Sequence, residues 1–275
     1  MRGTAKRYTG KLQAIVLDWS GTTIDYGCIA PALVFVEIFK AAGVEVTLAE
    51  ARKPMGMYKR DHIQAVLAMD SVRQRWQVAH GRLPNEDDLN QMYHEFIPRQ
   101  MEVITQYADV IPQVLETLEQ VRARGLKIGS CTGYTRAMMD ALAPVAAQLG
   151  YIPDAIVVPD DVPMGRPSPY MLYANAMRLN VYPMSAVVKI GDTVVDVQEG
   201  LNAGAWTIAL AKTGNEVGLS EAEFTALSAA DAQARLATAY ATLEQAGAHY
   251  VVDGLGDILP ILDDIEARLA AGETP

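Results

Sequence analysis

Six short apolar runs punctuate the chain, and their spacing constrains the fold more tightly than any other feature. They are LQAIVLD at 12–18, LKIGSC at 126–131, AIVV at 155–158, VVKIG at 187–191, AWTIAL at 205–210 and HYVV at 249–252. Intervening segments carry apolar residues at three- and four-residue intervals, as at Val114, Leu115, Leu118 and Val121, and Gly125 then supplies a helix stop. Gly150 supplies another for the helix after Thr135. Strands alternating with helices predict an α/β fold, a doubly wound parallel sheet covered on both faces.

One interval breaks this rhythm. A parallel crossover needs only about a dozen residues, yet roughly a hundred separate the first run from the second. Helical patterns at 32–42, 59–69 and 86–100 fill the gap. Residues 27–104 are therefore expected to form an inserted helical cap domain, with 1–26 and 105–275 making the core. Its hinges should fall near Tyr26-Gly27 and Gln106-Tyr107.

Charge narrows the partners. With 23 Lys plus Arg against 33 Asp plus Glu, the formal charge of -10 argues against nucleic acid and anionic lipid as binding partners. An anionic ligand then needs a local positive site. Two cysteines, Cys28 and Cys131, are too few for a disulfide framework and lack metal-ligand spacing, which fits the cytoplasm. No run approaches the ~18 apolar residues of a membrane span. The basic first eleven residues lack the apolar region of a secretory signal and read as a frayed start.

In open α/β sheets, ligands gather where strands end. The first run ends in Asp18-Trp19-Ser20-Gly21-Thr22-Thr23, the second in Cys131-Thr132-Gly133-Tyr134, and the fourth in Gly191-Asp192-Thr193-Val194-Val195-Asp196. Gly165-Arg166-Pro167 lies between the third and fourth. A carboxylate before a Gly-Thr turn can present a nucleophile beside backbone amides that cradle phosphoryl oxygens, with Thr22 part of that cradle. Asp18 and Asp192 can share Mg²⁺, a hard cation that prefers oxygen ligands. Arg166 can balance phosphoryl charge, and the Thr132 hydroxyl can donate to a phosphoryl oxygen. An isolated Asp at a strand end is as often a turn cap as a nucleophile.

The ordered set of strand-end Asp, strand-end Thr, basic residue and Gly-Asp with a second Asp four positions later resembles the haloacid dehalogenase-like superfamily, over nearly the whole chain. The stretch from Asp18 to Cys28, the run Ala51-Arg52-Lys53-Pro54-Met55-Gly56-Met57-Tyr58-Lys59-Arg60-Asp61-His62, Thr132-Gly133-Tyr134-Thr135-Arg136 and Pro159 to Pro167 are similar, more narrowly, to the phosphonoacetaldehyde hydrolase family. That resemblance implies a Mg²⁺-dependent homodimer that converts phosphonoacetaldehyde, a small phosphonate, and water to acetaldehyde and phosphate. It implies Asp18 as nucleophile and phosphoryl acceptor, and Lys59 as the Schiff-base lysine. The implied metal ligands are Asp18, the Ser20 backbone carbonyl and Asp192, with Asp196 orienting metal-bound water. Met55, His62, Cys28 and Tyr134 would lie around the substrate.

Ser20 stands where most phosphatases of the superfamily carry the acid that protonates a departing alkoxide. A carbon-phosphorus bond has no bridging oxygen to protonate, and what it needs is an electron sink for the departing carbon. An imine on Lys59 supplies one, provided that the amine's pKa falls toward 7 to 8 from its usual value of about 10.4. On a helix Lys59 shares a face with His62, Ile63 and Val66, so His62 is a candidate proton shuttle, although such a histidine is as often structural. Lys53 precedes Met55-Gly56 and fits the imine role less well. His80, His94 and His249 lack ligand spacing and read as structural, as does Cys131. The rival readings are a phosphomonoesterase or phosphosugar mutase, against which Ser20 and Lys59 speak, and a catalytically silent binding protein, against which Asp18, Thr132, Arg166 and Asp192 speak.

Overall fold

A computed structural model describes residues 7–275. Of the frayed start expected at 1–11, the first six residues lie outside the described residues. Beyond them the Tyr8 hydroxyl donates to the Lys11 carbonyl at 2.7 Å and accepts from the Gln13 amide at 3.0 Å.

All six apolar runs are strands: β1 (Ala14–Leu17), β2 (Lys127–Cys131), β3 (Ala155–Val157), β4 (Val187–Gly191), β5 (Trp206–Leu210) and β6 (Tyr250–Val252). They pair in parallel in the order β3-β2-β1-β4-β5-β6. The chain thus winds outward from β1 in both directions, and β1 and β4 flank the point where the winding reverses.

Alternation along β1 feeds two cores. Ile15 and Leu17 face one side, Ala14 and Val16 the other. Five helices follow β1 within residues 27–104, namely α1 (Ile29–Ala41), α2 (Leu48–Arg52), α3 (Lys59–Leu67), α4 (Asp70–His80) and α5 (Glu86–Val103). The remaining helices are α6 (Val114–Ala123), α7 (Arg136–Gln148), α8 (Tyr170–Leu179), α9 (Val194–Ala203), α10 (Glu221–Thr225), α11 (Ala229–Gln245) and α12 (Ile258–Ala270). Side chains of α6, α7 and α12 join Ile15 and Leu17, whereas Met171, Leu172 and Leu179 of α8 join Ala14 and Val16. The sheet is buried on both faces.

Between β1 and β2, α1 packs on α2 and α5, and α3 packs on α5. Three of these helices were read from periodicity. The other two carry weaker signals: α4 buries only Val72 and Trp76, and α2 has five residues, set by a capping box of Thr47 and Glu50. The two linkers of the insertion run side by side, since Ile24 bridges Val110.

Candidate active site

Because β1 lies between β2 and β4, the residues that follow those three strands converge. Leu17 pairs with Ser130 and Ile190, which brings Asp18 beside Cys131 and Gly191. The Asp18 backbone N–H donates to the Ile190 carbonyl at 3.0 Å. Arg166 enters between β3 and α8, fully buried. Its Nη2 donates to Asp18 Oδ1 at 3.0 Å and to the Cys131 carbonyl at 2.7 Å, its Nε donates to Glu199 Oε2 at 2.9 Å, and its Nη1 lies 2.9 Å from Asp196 Oδ1. Lys189 of β4 completes the cluster, 2.7 Å from Asp196 and 3.4 Å from Glu199.

Oxygens of Asp18, Asp192 and Asp196 can all lie within 4.8 Å of one another. Among the described residues Asp192 is held only by neutral donors, the Thr22 hydroxyl at 2.9 Å and the Asn215 backbone N–H at 2.8 Å. Burial, then the charges of Asp18 and Asp196, push its carboxyl well above the ordinary range. Burial also raises Asp18, against the pull of Arg166. Asp196 is instead lowered: burial opposes its ionisation, but Arg166 and Lys189 prevail. Four buried carboxylates, Asp18, Asp192, Asp196 and Glu199, thus face two buried cations, Arg166 and Lys189. A deficit of two positive charges beside an all-oxygen donor set fits a hard divalent cation.

The turn after β1 is shaped around Asp192. Gly21 has φ +83°, and a Cβ there would lie 2.3 Å from Asp192 Oδ2. Amides of Gly21, Thr22, Thr23 and Ile24 all donate to carbonyls within the turn. The amides of this turn left without a protein acceptor among the described residues are those of Trp19 and Ser20, one step nearer Asp18 than the Gly-Thr turn. The Thr132 hydroxyl accepts from the Tyr134 N–H at 3.2 Å and keeps its own hydrogen to donate.

The helical insertion contributes the other half. Its loop at 55–58 lies directly on core loops: a Cβ at Gly133 would come within 2.4 Å of the Met57 carbonyl oxygen, and one at Gly56 within 2.6 Å of Thr193 Oγ1. This brings Lys59, the first residue of α3, into the site. Lys59 is 3% exposed, its Nζ lies 4.6 Å from the centre of the Tyr134 ring and 5.6 Å from that of Phe35, and no carboxylate is within ion-pair distance of it among the described residues. Burial lowers its pKa to about 8, partly offset by Cys28 and Asp18. The positive end of α3 acts in the same direction as burial.

His62 stacks on Phe35 at 3.6 Å between ring centres, and its Nε2 lies 2.7 Å from the Ala51 carbonyl oxygen. Burial and then Lys59 hold it well below its usual pKa. The neutral ring therefore donates from Nε2 and leaves Nδ1 without a partner among the described residues. Met55, Cys28 and Tyr134 are buried in the same core cluster, and burial pushes the Cys28 thiol and Tyr134 hydroxyl well up. Lys53 is the residue after α2 and is exposed.

Several residues of the site were not singled out from sequence. Lys189 and Glu199 sit inside apolar stretches of β4 and α9, where polarity was the available signal. Asp25 accepts from the Ser20 hydroxyl and from the amides of Ile29 at 3.0 Å and Ala30 at 3.1 Å, so it caps α1; burial raises its pKa to about 6. Arg52 stood out only as a member of the run from Ala51 to His62, and Asn215 was not singled out.

A family model for haloacid dehalogenase-like hydrolases matches residues 12–204. The chain is 50% identical to the phosphonoacetaldehyde hydrolase of Nitratidesulfovibrio vulgaris (strain DSM 19637 / Miyazaki F), across 98% of this chain and 96% of that one. It is 48% identical to the phosphonoacetaldehyde hydrolase of Syntrophobacter fumaroxidans (strain DSM 10017 / MPOB), across 98% of each. A crystal structure of a phosphonoacetaldehyde hydrolase-like protein from Oleispira antarctica superposes with a TM-score of 0.96 at 39% identity, covering both chains in full. The chain is an enzyme of the phosphonoacetaldehyde hydrolase family, within the haloacid dehalogenase-like hydrolases.

Proposed function

We propose that the chain hydrolyses the carbon-phosphorus bond of phosphonoacetaldehyde to acetaldehyde and phosphate, through an imine on Lys59 and a phosphoryl group on Asp18. The observation that carries this reading is the buried, unpaired amine of Lys59, with a pKa of about 8, in the same site as Asp18 and Arg166. At pH 7 about a tenth of such amines are neutral, against roughly 0.03% at the ordinary lysine value. That is enough nucleophile to condense with an aldehyde.

The neutral amine adds to the aldehyde carbon and water leaves. The resulting iminium lies next to the carbon bonded to phosphorus. As a carboxylate oxygen of Asp18 attacks phosphorus, the carbon-phosphorus pair moves into the iminium to give an enamine. The enamine carbon then takes a proton, for which the unpaired Nδ1 of His62 is a candidate carrier, and one water releases acetaldehyde. A second water cleaves the aspartyl phosphate, so that the net change consumes one water. Arg166, the Thr132 hydroxyl and the amides of Trp19 and Ser20 receive the phosphoryl oxygens. Thr22 supports the site through Asp192. Met55, Cys28 and Tyr134 wall the aldehyde off from water.

Asp18, Asp192 and the Ser20 carbonyl would hold Mg²⁺, with Asp196 orienting its water. When bound, that ion offsets the charge of the carboxylates and of the transferring phosphoryl group. Residues 27–104 act as a cap that closes on the core. Cys28 and Cys131 are free thiols, in keeping with a cytoplasmic enzyme. A homodimer is supported by an exposed apolar face: Tyr170, Tyr173 and Met177 project from α8, with Met177 76% and the nearby Tyr182 85% exposed.

Phosphate release from phosphonoacetaldehyde, measured beside a panel of phosphate esters, tests the reading. Release from the phosphonate alone is expected, with loss on adding EDTA and none from Asp18→Asn. Borohydride added with substrate should inactivate the enzyme and leave its adduct on Lys59. An ester turned over better than the phosphonate, or an adduct on Lys53, would overturn it.

A further inference from the structure

Arg52, at the end of α2, is a buried cation without a carboxylate partner. Its Nη1 donates to the Gly27 carbonyl at 2.9 Å, the Cys28 carbonyl at 3.1 Å and Asn215 Oδ1 at 3.2 Å, and its Nη2 donates to the Gly218 carbonyl at 3.2 Å. No carboxylate lies within ion-pair distance of it among the described residues. Burying a guanidinium is costly, and the carboxylates that attract this one, Asp25, Glu216 and Glu223, act from beyond ion-pair distance. What the arrangement provides is span: one planar fork joins the helical insertion, its first linker at 27–28, and the core loop at 215–218 that follows β5.

Asn215 returns the contact, its Nδ2 donating to the Arg52 carbonyl at 3.3 Å. The same residue's backbone N–H donates to Asp192 Oδ2 at 2.8 Å. Gly218 makes room for the guanidinium: a Cβ there would lie 2.9 Å from Arg52 Nε. Seven residues beyond Arg52, on the same piece of the insertion, stands Lys59.

We infer that Arg52 is a positioning residue, a latch that ties the seating of the helical insertion to the Asp192 carboxylate through Asn215. With the insertion seated, Arg52 locks Asn215, and Asn215 fixes an oxygen of Asp192. Movement of the insertion away from the core withdraws the fork and frees that loop. The delivery of Lys59 and the readiness of Asp192 for a cation are thus one event. Linkage makes the coupling reciprocal, so that a cation on Asp192 favours the seated state by the same factor. The inference rests on the proposed reading of Asp192 as a Mg²⁺ ligand.

The test compares the full-length parent with Arg52→Gln, Arg52→Lys, Asn215→Ala and the double variant Arg52→Gln/Asn215→Ala. Calorimetry gives the dissociation constant of Mg²⁺ alone. Labelling of Cys28 by a water-soluble aromatic disulfide, located by peptide mapping, reports opening with and without Mg²⁺. Kinetics on phosphonoacetaldehyde give kcat and KM. Mg²⁺ should slow labelling of the parent severalfold. Arg52→Gln should weaken Mg²⁺ binding at least fivefold, abolish that protection and lower kcat at least tenfold while KM moves less than threefold. Arg52→Lys should lie between, and the double variant should be no worse than the worse single.

Mg²⁺ binding within twofold of the parent and intact protection in Arg52→Gln would overturn the latch, as would strictly additive losses in the double variant. If Arg52→Gln does not fold, Arg52→Lys and Asn215→Ala decide by the same criteria. A parent that binds Mg²⁺ but ignores phosphonoacetaldehyde defeats the substrate reading, and the first two measurements still decide the latch. A parent that binds no Mg²⁺ defeats both.

Discussion

Lys59 owes its lowered pKa to its surroundings: burial first, with aromatic rings in place of carboxylates and the first turn of a helix. Burial disfavours the ammonium, so the amine loses its proton near pH 8, and imine formation needs the deprotonated form. We therefore predict that kcat/KM rises with pH and levels off above about 8. A profile that falls between about pH 6.5 and 8 would contradict this. Arginine is effectively never deprotonated, so Lys59→Arg should lose activity at every pH while still binding Mg²⁺ in calorimetry. The strand-end residues were legible because strands terminate visibly and β order is strongly constrained. Lys189 and Glu199 were not, because a charge buried inside an apolar run shows its meaning only once its partner, Asp196, is beside it. Arg52 and Asn215 are 163 positions apart, and sequence pattern carries no trace of a contact at that range.

At the scale of elements, the seat between insertion and core is made by backbone, so small residues are required on both sides. Gly133 follows β2, and a methyl group on it would meet the Met57 carbonyl oxygen at 2.4 Å and that of Gly56 at 3.0 Å. Its backbone does not occupy the left-handed region, and so alanine strains the contact and spares the local conformation. We predict that Gly133→Ala lowers kcat/KM at least tenfold, speeds labelling of Cys28 and leaves the melting temperature within about 3 °C, since the strain is confined to the contact of residue 133 with the carbonyls of Met57 and Gly56. A drop of more than about 10 °C would instead point to general unfolding. The six strands could be read in advance because continuous apolar runs bounded by turns have few alternatives in an alternating chain. Of the five helices in the insertion, α4 escaped notice because its buried stripe is a single pair, Val72 and Trp76.

Across the whole molecule, the exposed face of α8 predicts self-association. Met177→Glu places a charge at the centre of that face, and sedimentation should then report a mass half that of the parent; an unchanged mass would mean that copies meet elsewhere or not at all. The position of β1 has a further consequence, for the way the chain reaches this state. Its partners are β2 and β4, the latter about 170 residues downstream, so at roughly 5–20 residues per second the strand bearing Asp18 leaves the ribosome some ten to thirty seconds before its second neighbour. The five helices of the insertion are all synthesised within that wait and can begin to pack on one another, whereas β1 must close a long loop to reach β4. Biogenesis should therefore run from the periphery to the centre: the helical insertion can form first, and the strand ends around Asp18 converge only when β4 is inserted.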